Sequence, residues 1–506
     1  MRTALTILVL LCFTTKATAQ LEVRTEAQAT AGSGDHNPLW LNANKYGLSS
    51  LKTTNGYLRA GLFRPVDTDS THRWSWGYGA DVAVAGGFTS TMVVQQAYAD
   101  VRWLKGLLTV GSKEQPMQLK NRELSSGSQT LGENARPIPG VRLELPDYWT
   151  IPHTHGWLGL KGHIFYGIQT DDGWQEEFTH QRSKYTQHVK LHTKAGYLRI
   201  GKEEKPLSVE LGLEMGCQYG GKSHGVYEET TENFVTVNNQ DGLKGMFHAF
   251  LPGGGEIVET LYKNTDGNHL GSWMVRVNYE QPAWGASLYA DHYFEDQSSM
   301  FFLDYDGYGS GLNWDKKETS KWFVYDLRDI MLGVELRLKE FRWINCIVAE
   351  YLYTKYQSGS INHDHTITIS DHVSGRDNYY NHSIFTGWQH WGQVMGNPLY
   401  RSPLYNDNGE IYSADTRFWA WHLGISGTPT DRLHYRMLAT MQRGWGTYSI
   451  PFPDPKDNVS LLLEGEYRLG NSGWSLRGAL GMDFGDMLGD NVGGQLTVRK
   501  SFTLKK

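Results

Sequence analysis

An alternation of apolar and polar residues from Leu207 to Tyr219 constrains the fold more than any other feature of the sequence. Odd-numbered positions carry Leu, Val, Met, Cys or Tyr, and even-numbered positions carry Ser, Glu, Gly or Gln. Because successive side chains of a strand point to opposite faces, this segment is predicted to be a strand with one apolar face. At ~3.3 Å per residue it spans roughly 43 Å, whereas ordinary strands have ~5–6 residues and a barrel strand crosses a membrane with ~9–11. Its length indicates a membrane-spanning strand.

The same alternation recurs towards the C-terminus. It covers residues 330–338, 433–441, 459–469, 474–484 and 496–504. The turn residues Gly470-Asn471-Ser472-Gly473 separate two of these segments and predict a hairpin. A soluble β-sandwich with one wet face per sheet shows the same alternation and is the alternative. Strand length, aromatic content and an export signal together favour the membrane barrel.

The composition is typical of a transmembrane barrel. Aromatic residues make up 13%, there are 57 Gly, and the mean hydropathy is −0.49. In such barrels every second residue faces lipid, aromatic side chains form girdles and the lumen is polar. After Phe13 no stretch approaches the ~18 apolar residues of a membrane helix. The formal net charge of −6 argues against binding to nucleic acid, which needs a basic face.

The first residues are predicted to be a secretory signal peptide. Arg2 is basic, residues 4–13 are largely apolar, and Ala17-Thr18-Ala19 matches a cleavage site. Residues 1–19 are therefore expected to be removed. Residues 20–506 are predicted to form a single domain, because no linker and no clear internal repeat divides them. Cys217 and Cys346 are the cysteines of this mature part, and one disulfide between them is possible.

Long irregular segments separate the alternating ones. They cover residues 113–140, 220–267, 294–321 and 357–403, and loops of this length are usually functional. One of them predicts a short amphipathic helix, because Leu243, Met246, Phe247 and Phe250 recur at helical spacing before Pro252. Such a helix is expected either to plug an end of the barrel or to pack on an exposed loop.

Short motifs in these loops carry a family resemblance. They are Leu124–Ser128, Asn134–Pro139, Gly267-Asn268, Asp291–Asp296, Gly375–His382 and the stretch from Gly387-Trp388 through Gly396–Leu399. In these residues, and from about residue 25 to the C-terminus, the chain resembles the Wzi family of capsule assembly proteins in its Bacteroides-type branch.

The resemblance implies an all-β transmembrane fold, a closed antiparallel β-barrel of about eighteen strands. Short helices and long loops would plug the lumen, with loops closing the outside and helices the periplasmic side. The implied function is a non-enzymatic lectin that anchors capsular polysaccharide at the bacterial outer membrane. Its expected partners are capsular polysaccharide, outer-membrane lipid and, during biogenesis, the barrel-assembly machinery. A monomer without cofactors is expected.

Side chains suited to binding sugars are most concentrated between residues 376 and 397. Flat aromatic faces suit sugar rings, and arginines, amides and carboxylates bind hydroxyl or carboxylate groups. The alternative is a loop that these groups pin inside the barrel, and the two interpretations are compatible. A second loop, Leu124–Pro139, is expected to lie inside, with Arg122, Glu123, Glu133 and Arg136 forming lumen charge pairs. The candidate polysaccharide-binding residues are Arg376, Asp377, Asn378, Tyr379, Tyr380, Asn381, Trp388, His390, Trp391 and Asn397.

Two other function classes stay open. The polar face of the strands, with Glu210 and Glu335 among others, is compatible with a porin. A hydrolase would use Ser223 in a G-x-S-x-G pattern, or the pair Glu295-Asp296. The Ser pattern has meaning only between a strand and a helix, and the residues after it lack a helical face. No catalytic residue and no metal ligand is therefore assigned.

Overall fold

The computed structural model describes residues 21–67, 72–228, 231–252, 267–295, 305–308, 311–313, 316–320, 329–357, 361–363, 372–374 and 377–504. Eighteen of its strands form one antiparallel sheet. They are β1 Leu21–Ser33, β2 Asn55–Arg64, β3 Trp74–Gly86, β4 Met92–Trp103, β5 Gly106–Ser112, β6 Gly140–Thr150, β7 Leu158–Ile168, β8 Lys190–Ile200, β9 Leu207–Tyr219, β10 Asn268–Glu280, β11 Trp284–Glu295, β12 Ile330–Leu338, β13 Cys346–Tyr353, β14 Phe418–Thr430, β15 Leu433–Gly446, β16 Pro451–Arg468, β17 Trp474–Gly485 and β18 Asn491–Leu504.

The sheet closes into a barrel. Each strand pairs with the next one along the chain, and β1 pairs with β18 from Leu21 opposite Leu504 to Ser33 opposite Val492. Closure leaves no strand edge unpaired, which is what the interior of a bilayer demands. The predicted closed barrel of eighteen strands is confirmed. Its strand β9 has the bounds that the alternation predicted.

The two faces of the wall differ as the alternation requires. On β12, Leu332 and Val334 are exposed on the outer face, whereas Met331 and Glu335 are buried inside. On β14, Trp421 is exposed outside and His422 is buried inside. The outer face is thus an apolar belt suited to lipid, and the inner face carries polar groups. None of the described helices is long and apolar enough to cross a membrane.

The two ends of the barrel differ in the length of their connections. Both chain termini lie at one end, called the turn end, where short segments such as 104–105 and 431–432 join the strands. At the other end, called the loop end, lie the connections 34–54, 113–139, 169–189, 220–267, 296–329 and 354–417. In outer-membrane barrels short turns face the periplasm and long loops face outward.

The described helices all belong to connections of the loop end. They are α1 Leu39–Asn42, α2 Trp174–Thr179 and α3 Gly242–Phe250. The expectation that helices close the periplasmic side is therefore wrong for the described residues. The helix predicted around residues 243–250 is confirmed as α3. It neither plugs an end nor rests on a loop, because it packs on β8 and β9 of the wall.

The connections of the loop end also contain short strands and 3₁₀ turns. The segment Tyr185–Gln187 and the hairpin of Lys222–Glu228 with Asn233–Asn238 form a three-stranded sheet. Short pairs join Tyr305–Tyr308 to Lys317–Ser320, Ile361–His363 to His372–Ser374, and Gln389-His390 to Gln393-Val394. Two 3₁₀ turns cover Gly311–Asn313 and Pro403–Tyr405. The two cysteines, Cys217 on β9 and Cys346 on β13, are buried and unbridged.

Candidate functional site

Three connections of the loop end fold into the lumen and together form the plug. They are residues 34–54, 113–139 and 377–417, and most of their side chains are buried. Helix α1 shows how the first is held. The Leu39 amide donates to Asp483 Oδ2 at 3.0 Å, and Trp40 Nε1 donates to Thr440 Oγ1 at 3.1 Å. The polar inner wall that alternation predicted thus serves as the binding partner of the plug.

Glu350 of β13 attaches the second plug segment to the wall. Its carboxylate accepts hydrogen bonds from the Ser126 amide at 2.8 Å and from the hydroxyls of Ser125 and Ser126 at 2.5 Å each. The Tyr289 hydroxyl of β11 donates to it as well, at 2.6 Å. Three hydrogen bonds from the segment to one buried carboxyl group thus fix it to the wall.

Two further carboxylates of the wall hold the same segment. Glu214 of β9 accepts from the Leu131 amide at 3.2 Å and from Ser128 Oγ at 3.3 Å. Asp291 of β11 accepts from Lys120 Nζ at 2.6 Å in a fully buried ion pair. With Glu350 they form a set of three, the lumen carboxylates, which binds residues 120–131 from three different strands.

The third plug segment packs onto the second. Trp388 Nε1 donates to the Thr130 carbonyl at 2.9 Å, and the Asn397 side-chain amide donates to the Gly127 carbonyl at 3.0 Å. The Tyr380 hydroxyl donates to the Gln129 carbonyl and accepts from the Asn397 amide at 2.9 Å. Gly127, Tyr380, Trp388 and Asn397, which belong to the motifs that carried the family resemblance, therefore lie close together inside the barrel.

The structure divides the candidate polysaccharide-binding residues into two groups. Those that are at most 3% exposed and hydrogen-bonded to other parts of the protein are Tyr379, Tyr380, Trp388, His390 and Asn397. Those with partly exposed side chains are Asp377, Asn378, Asn381 and Trp391. Arg376 lies outside the described residues. The buried group pins the loop inside the barrel, and the second group lies where solvent reaches it.

Trp391 is partly exposed and lies beside a buried arginine. The Arg136 guanidinium lies 4.2 Å from the ring centre of Trp391, and its Nη2 donates to Thr89 Oγ1 at 2.8 Å. Burial lowers the pKa of Arg136 to about 10. The expected charge pair of Arg122 with Glu133 is present, at 2.6 Å. Arg136 was expected to form such a pair, but it stacks on Trp391 instead.

A second aromatic feature at the loop end was missed in the sequence. The hairpin of Lys222–Glu228 and Asn233–Asn238 carries Tyr227 and Phe234, which are 53% and 76% exposed. Their rings contact each other edge to face at 5.5 Å between centres. The segment lacks sustained alternation, so it was expected to be irregular. The available signal was the symmetric placement of the two aromatics around the polar stretch 229–232.

The residues considered for hydrolysis occupy structural positions. Ser223 is fully buried in a hairpin strand and its Oγ accepts from Asn239 Nδ2 at 2.9 Å. No helix follows it directly, so the G-x-S-x-G pattern is not a nucleophile elbow. Glu295 is buried and accepts from the Tyr380 amide at 2.6 Å, and Asp296 lies outside the described residues. In the described part of the chain, no group of three His, Cys, Asp or Glu could hold a metal ion.

The comparisons with known proteins agree with this architecture. No family model matches the sequence, and no curated protein matches it significantly. A solved structure from Escherichia coli superposes with a TM-score of 0.56 at 14% identity, covering 96% of this chain and 85% of the other. It is Wzi, described as an outer-membrane protein involved in group 1 capsule assembly and as a carbohydrate-binding β-barrel. The fold is that of Wzi.

This similarity confirms the predicted resemblance to Wzi at the level of the fold. Other matching structures include OccAB4 from Acinetobacter baumannii, with a TM-score of 0.47, 8% identity and coverage of 96% and 99%. OprD from Pseudomonas aeruginosa matches with a TM-score of 0.44, 9% identity and coverage of 96% of both chains. The protein has the fold of an outer-membrane β-barrel.

Proposed function

We propose that this protein is a non-enzymatic lectin of the outer membrane that binds capsular polysaccharide and anchors it at the cell surface. The observation that carries the proposal is the plug. Three connections fill the lumen, and buried carboxylates of the wall hold them. A barrel filled in this way offers its loop end as a binding surface. The structural similarity to Wzi, which is described as carbohydrate-binding and involved in capsule assembly, supports the same function.

The partly exposed candidate residues would make the polysaccharide contacts. Trp391 offers an aromatic face backed by the Arg136 guanidinium, and Asp377 and Asn378 are partly exposed nearby in sequence. Asn381 would position them, because its side-chain amide donates to Asn378 Oδ1 and to the Ser413 carbonyl. The buried candidates Tyr379, Tyr380, Trp388, His390 and Asn397 would act by holding this surface in place, and Arg376 would join it. The exposed pair of Tyr227 and Phe234 would add a second apolar platform for sugar rings.

The remaining partners belong to the same proposal. Residues 1–19 would direct export as a signal peptide and then be cleaved off. The barrel-assembly machinery would insert the protein into the outer membrane. Residues 20–506 would act as one domain, as a monomer surrounded by outer-membrane lipid and without a cofactor.

Binding to immobilised capsular polysaccharide from the producing strain tests the proposal. Detergent-purified wild-type protein is expected to bind, and Trp391→Ala to bind at least ~10-fold more weakly, which corresponds to about 1.4 kcal/mol. Trp421→Ala is the matched control, because Trp421 is exposed on the lipid-facing wall. Equal binding by Trp391→Ala and wild type would remove this surface from the proposal. Absence of binding by the wild type, or cleavage of the glycan, would overturn the lectin function.

A further inference from the structure

Helix α3 lies on the outside of the barrel. Cys217 and Tyr219 share the outer face of β9 with Leu207 and Leu211, because the register with β8 and β10 runs without a shift. Leu207 and Leu211 are exposed, whereas Cys217 and Tyr219 are 0% and 5% exposed. The residues that cover them belong to α3, whose Ala249 and Met246 pack in the same apolar cluster. The connection between β9 and β10 therefore folds down over the outer wall.

The wall beneath α3 is more polar than the rest of the outer face. His192 and His269 are the cross-strand neighbours of Cys217, and Lys194 is that of Met215, so all three face outward. Imidazole and ammonium groups are costly to place against lipid. Lys194 Nζ donates to the carbonyl of Phe250 at the end of α3 and lies 4.7 Å from its ring centre. The helix thus covers and binds polar groups that would otherwise meet the membrane.

In the described part of the chain, the far side of α3 is apolar and exposed. Leu243, Phe247 and Leu251 follow one another at steps of four residues and are 84%, 59% and 51% exposed. The side towards the wall carries the small residues Gly245 and Ala249, both buried. The helix therefore packs Met246 and Phe250 towards the wall and turns Leu243 and Phe247 away from it.

We propose that α3 inserts this apolar stripe into the outer leaflet of the membrane. At ~3.3 Å per residue and a tilt of ~40°, Tyr219 lies roughly 30 Å above Leu207, at the upper edge of a ~25 Å apolar belt. The stripe continues the belt formed by Leu211 and by Leu288 of β11. An amphipathic helix at this level lies in the interface with its apolar face among the acyl chains. The exposed Lys244 would lie at the level of the lipid phosphates.

A fluorescent probe on the helix tests this placement. Phe247→Cys and Leu243→Cys are each labelled with an environment-sensitive dye and reconstituted into phosphatidylcholine vesicles, with and without lipids that carry a nitroxide near the head group. Phe234→Cys is the matched control, because it is highly exposed in the same connection but on the hairpin. Cys217 and Cys346 are buried, and a labelling blank of the unsubstituted chain sets their background.

The helix positions are expected to give blue-shifted emission and at least ~2-fold more nitroxide quenching than the Phe234 position, since only they would contact acyl chains. Heat-modifiable migration on gels shows for each variant that the barrel has folded. If folded Phe247→Cys and Leu243→Cys proteins emit like the Phe234 control and escape quenching, the stripe faces water or another protein and the proposal is overturned.

Discussion

At Gly216 the barrel wall and the plug touch without any side chain between them. A Cβ at this position would lie 2.2 Å from Cη2 of the Trp388 ring. The indole ring of Trp388 therefore packs directly against the backbone of β9 and is only 1% exposed. In the sequence, a glycine on the polar face of an alternating strand indicates only that a side chain is missing there. The structure shows that the Trp388 ring packs against this glycine.

Gly216→Leu is expected to displace Trp388 and to lower the free energy of unfolding by ~1–3 kcal/mol, because overpacking forces a shift of the plug. Urea titration of the folded barrel in detergent measures the loss. Gly465→Leu is the control, since a Cβ at Gly465 meets nothing within 4 Å. In the Trp388→Ala background the Gly216→Leu substitution should cost less. An equal cost in both backgrounds would show that the two residues do not contact.

Asp415 of the plug makes stability depend on pH. It is fully buried and accepts hydrogen bonds from the Gly446 amide at 2.9 Å and from Gln442 Nε2 at 3.3 Å. Burial raises the pKa of its carboxyl from 3.8 to about 7. The folded state therefore holds this proton more tightly than the unfolded state. Its stabilising effect is complete below the unfolded pKa and is lost as the pH rises through the folded pKa.

Asp415→Asn is expected to match the wild type near pH 4 and to exceed it in stability by up to about 4 kcal/mol near pH 8. The measurement is the urea midpoint of the folded barrel across this pH range. Glu410→Gln, an exposed change in the same connection, should leave the pH profile unaltered. A profile of Asp415→Asn that runs parallel to the wild type would contradict the assignment.

At the scale of elements, strands such as β9 could be predicted with their bounds, whereas the plug was expected only as long loops inside the lumen and its contacts could not be predicted. A strand such as β9 must alternate, because lipid on one side and a polar lumen on the other act on every residue in turn. Residues 120–131 obey no such rule, since their hydrogen bonds go to carboxylates far away in sequence, such as Glu350. The sequence identified residues 376–397 as rich in polar and aromatic groups, but only packing decides that Tyr380 is buried and Trp391 is not.

The lumen carboxylates are expected to keep the plug closed. Glu350→Ala leaves the Ser126 amide and the hydroxyls of Ser125 and Tyr289 without their acceptor, at ~1–3 kcal/mol for each buried group. Single-channel recordings in planar bilayers should show opening events in Glu350→Ala. They should show none in the wild type or in Glu144→Ala, because Glu144 pairs with Arg142 on the same strand. A steady open pore in the wild type would contradict the closed plug.

At the scale of the whole molecule, the closed wall of the barrel both faces the lipid and binds the plug. Its outer face carries the apolar belt, and its inner face supplies the polar groups that bind three long connections. The rigid scaffold leaves the loop end as the surface on which function is to be sought, as in other barrels with long outer loops. On this account the barrel is an anchor in the membrane, and the loop end is the part that holds the polysaccharide.

The amount of capsular polysaccharide that stays on the cell is the decisive measurement for the proposed anchoring function. In a strain lacking the protein, capsular polysaccharide is expected to move from the cell pellet to the medium. The wild type and Trp421→Ala should restore attachment, whereas Trp391→Ala should restore it only in part, because the proposed glycan-binding ring is missing. A deletion strain whose capsule remains fully attached would contradict the central claim.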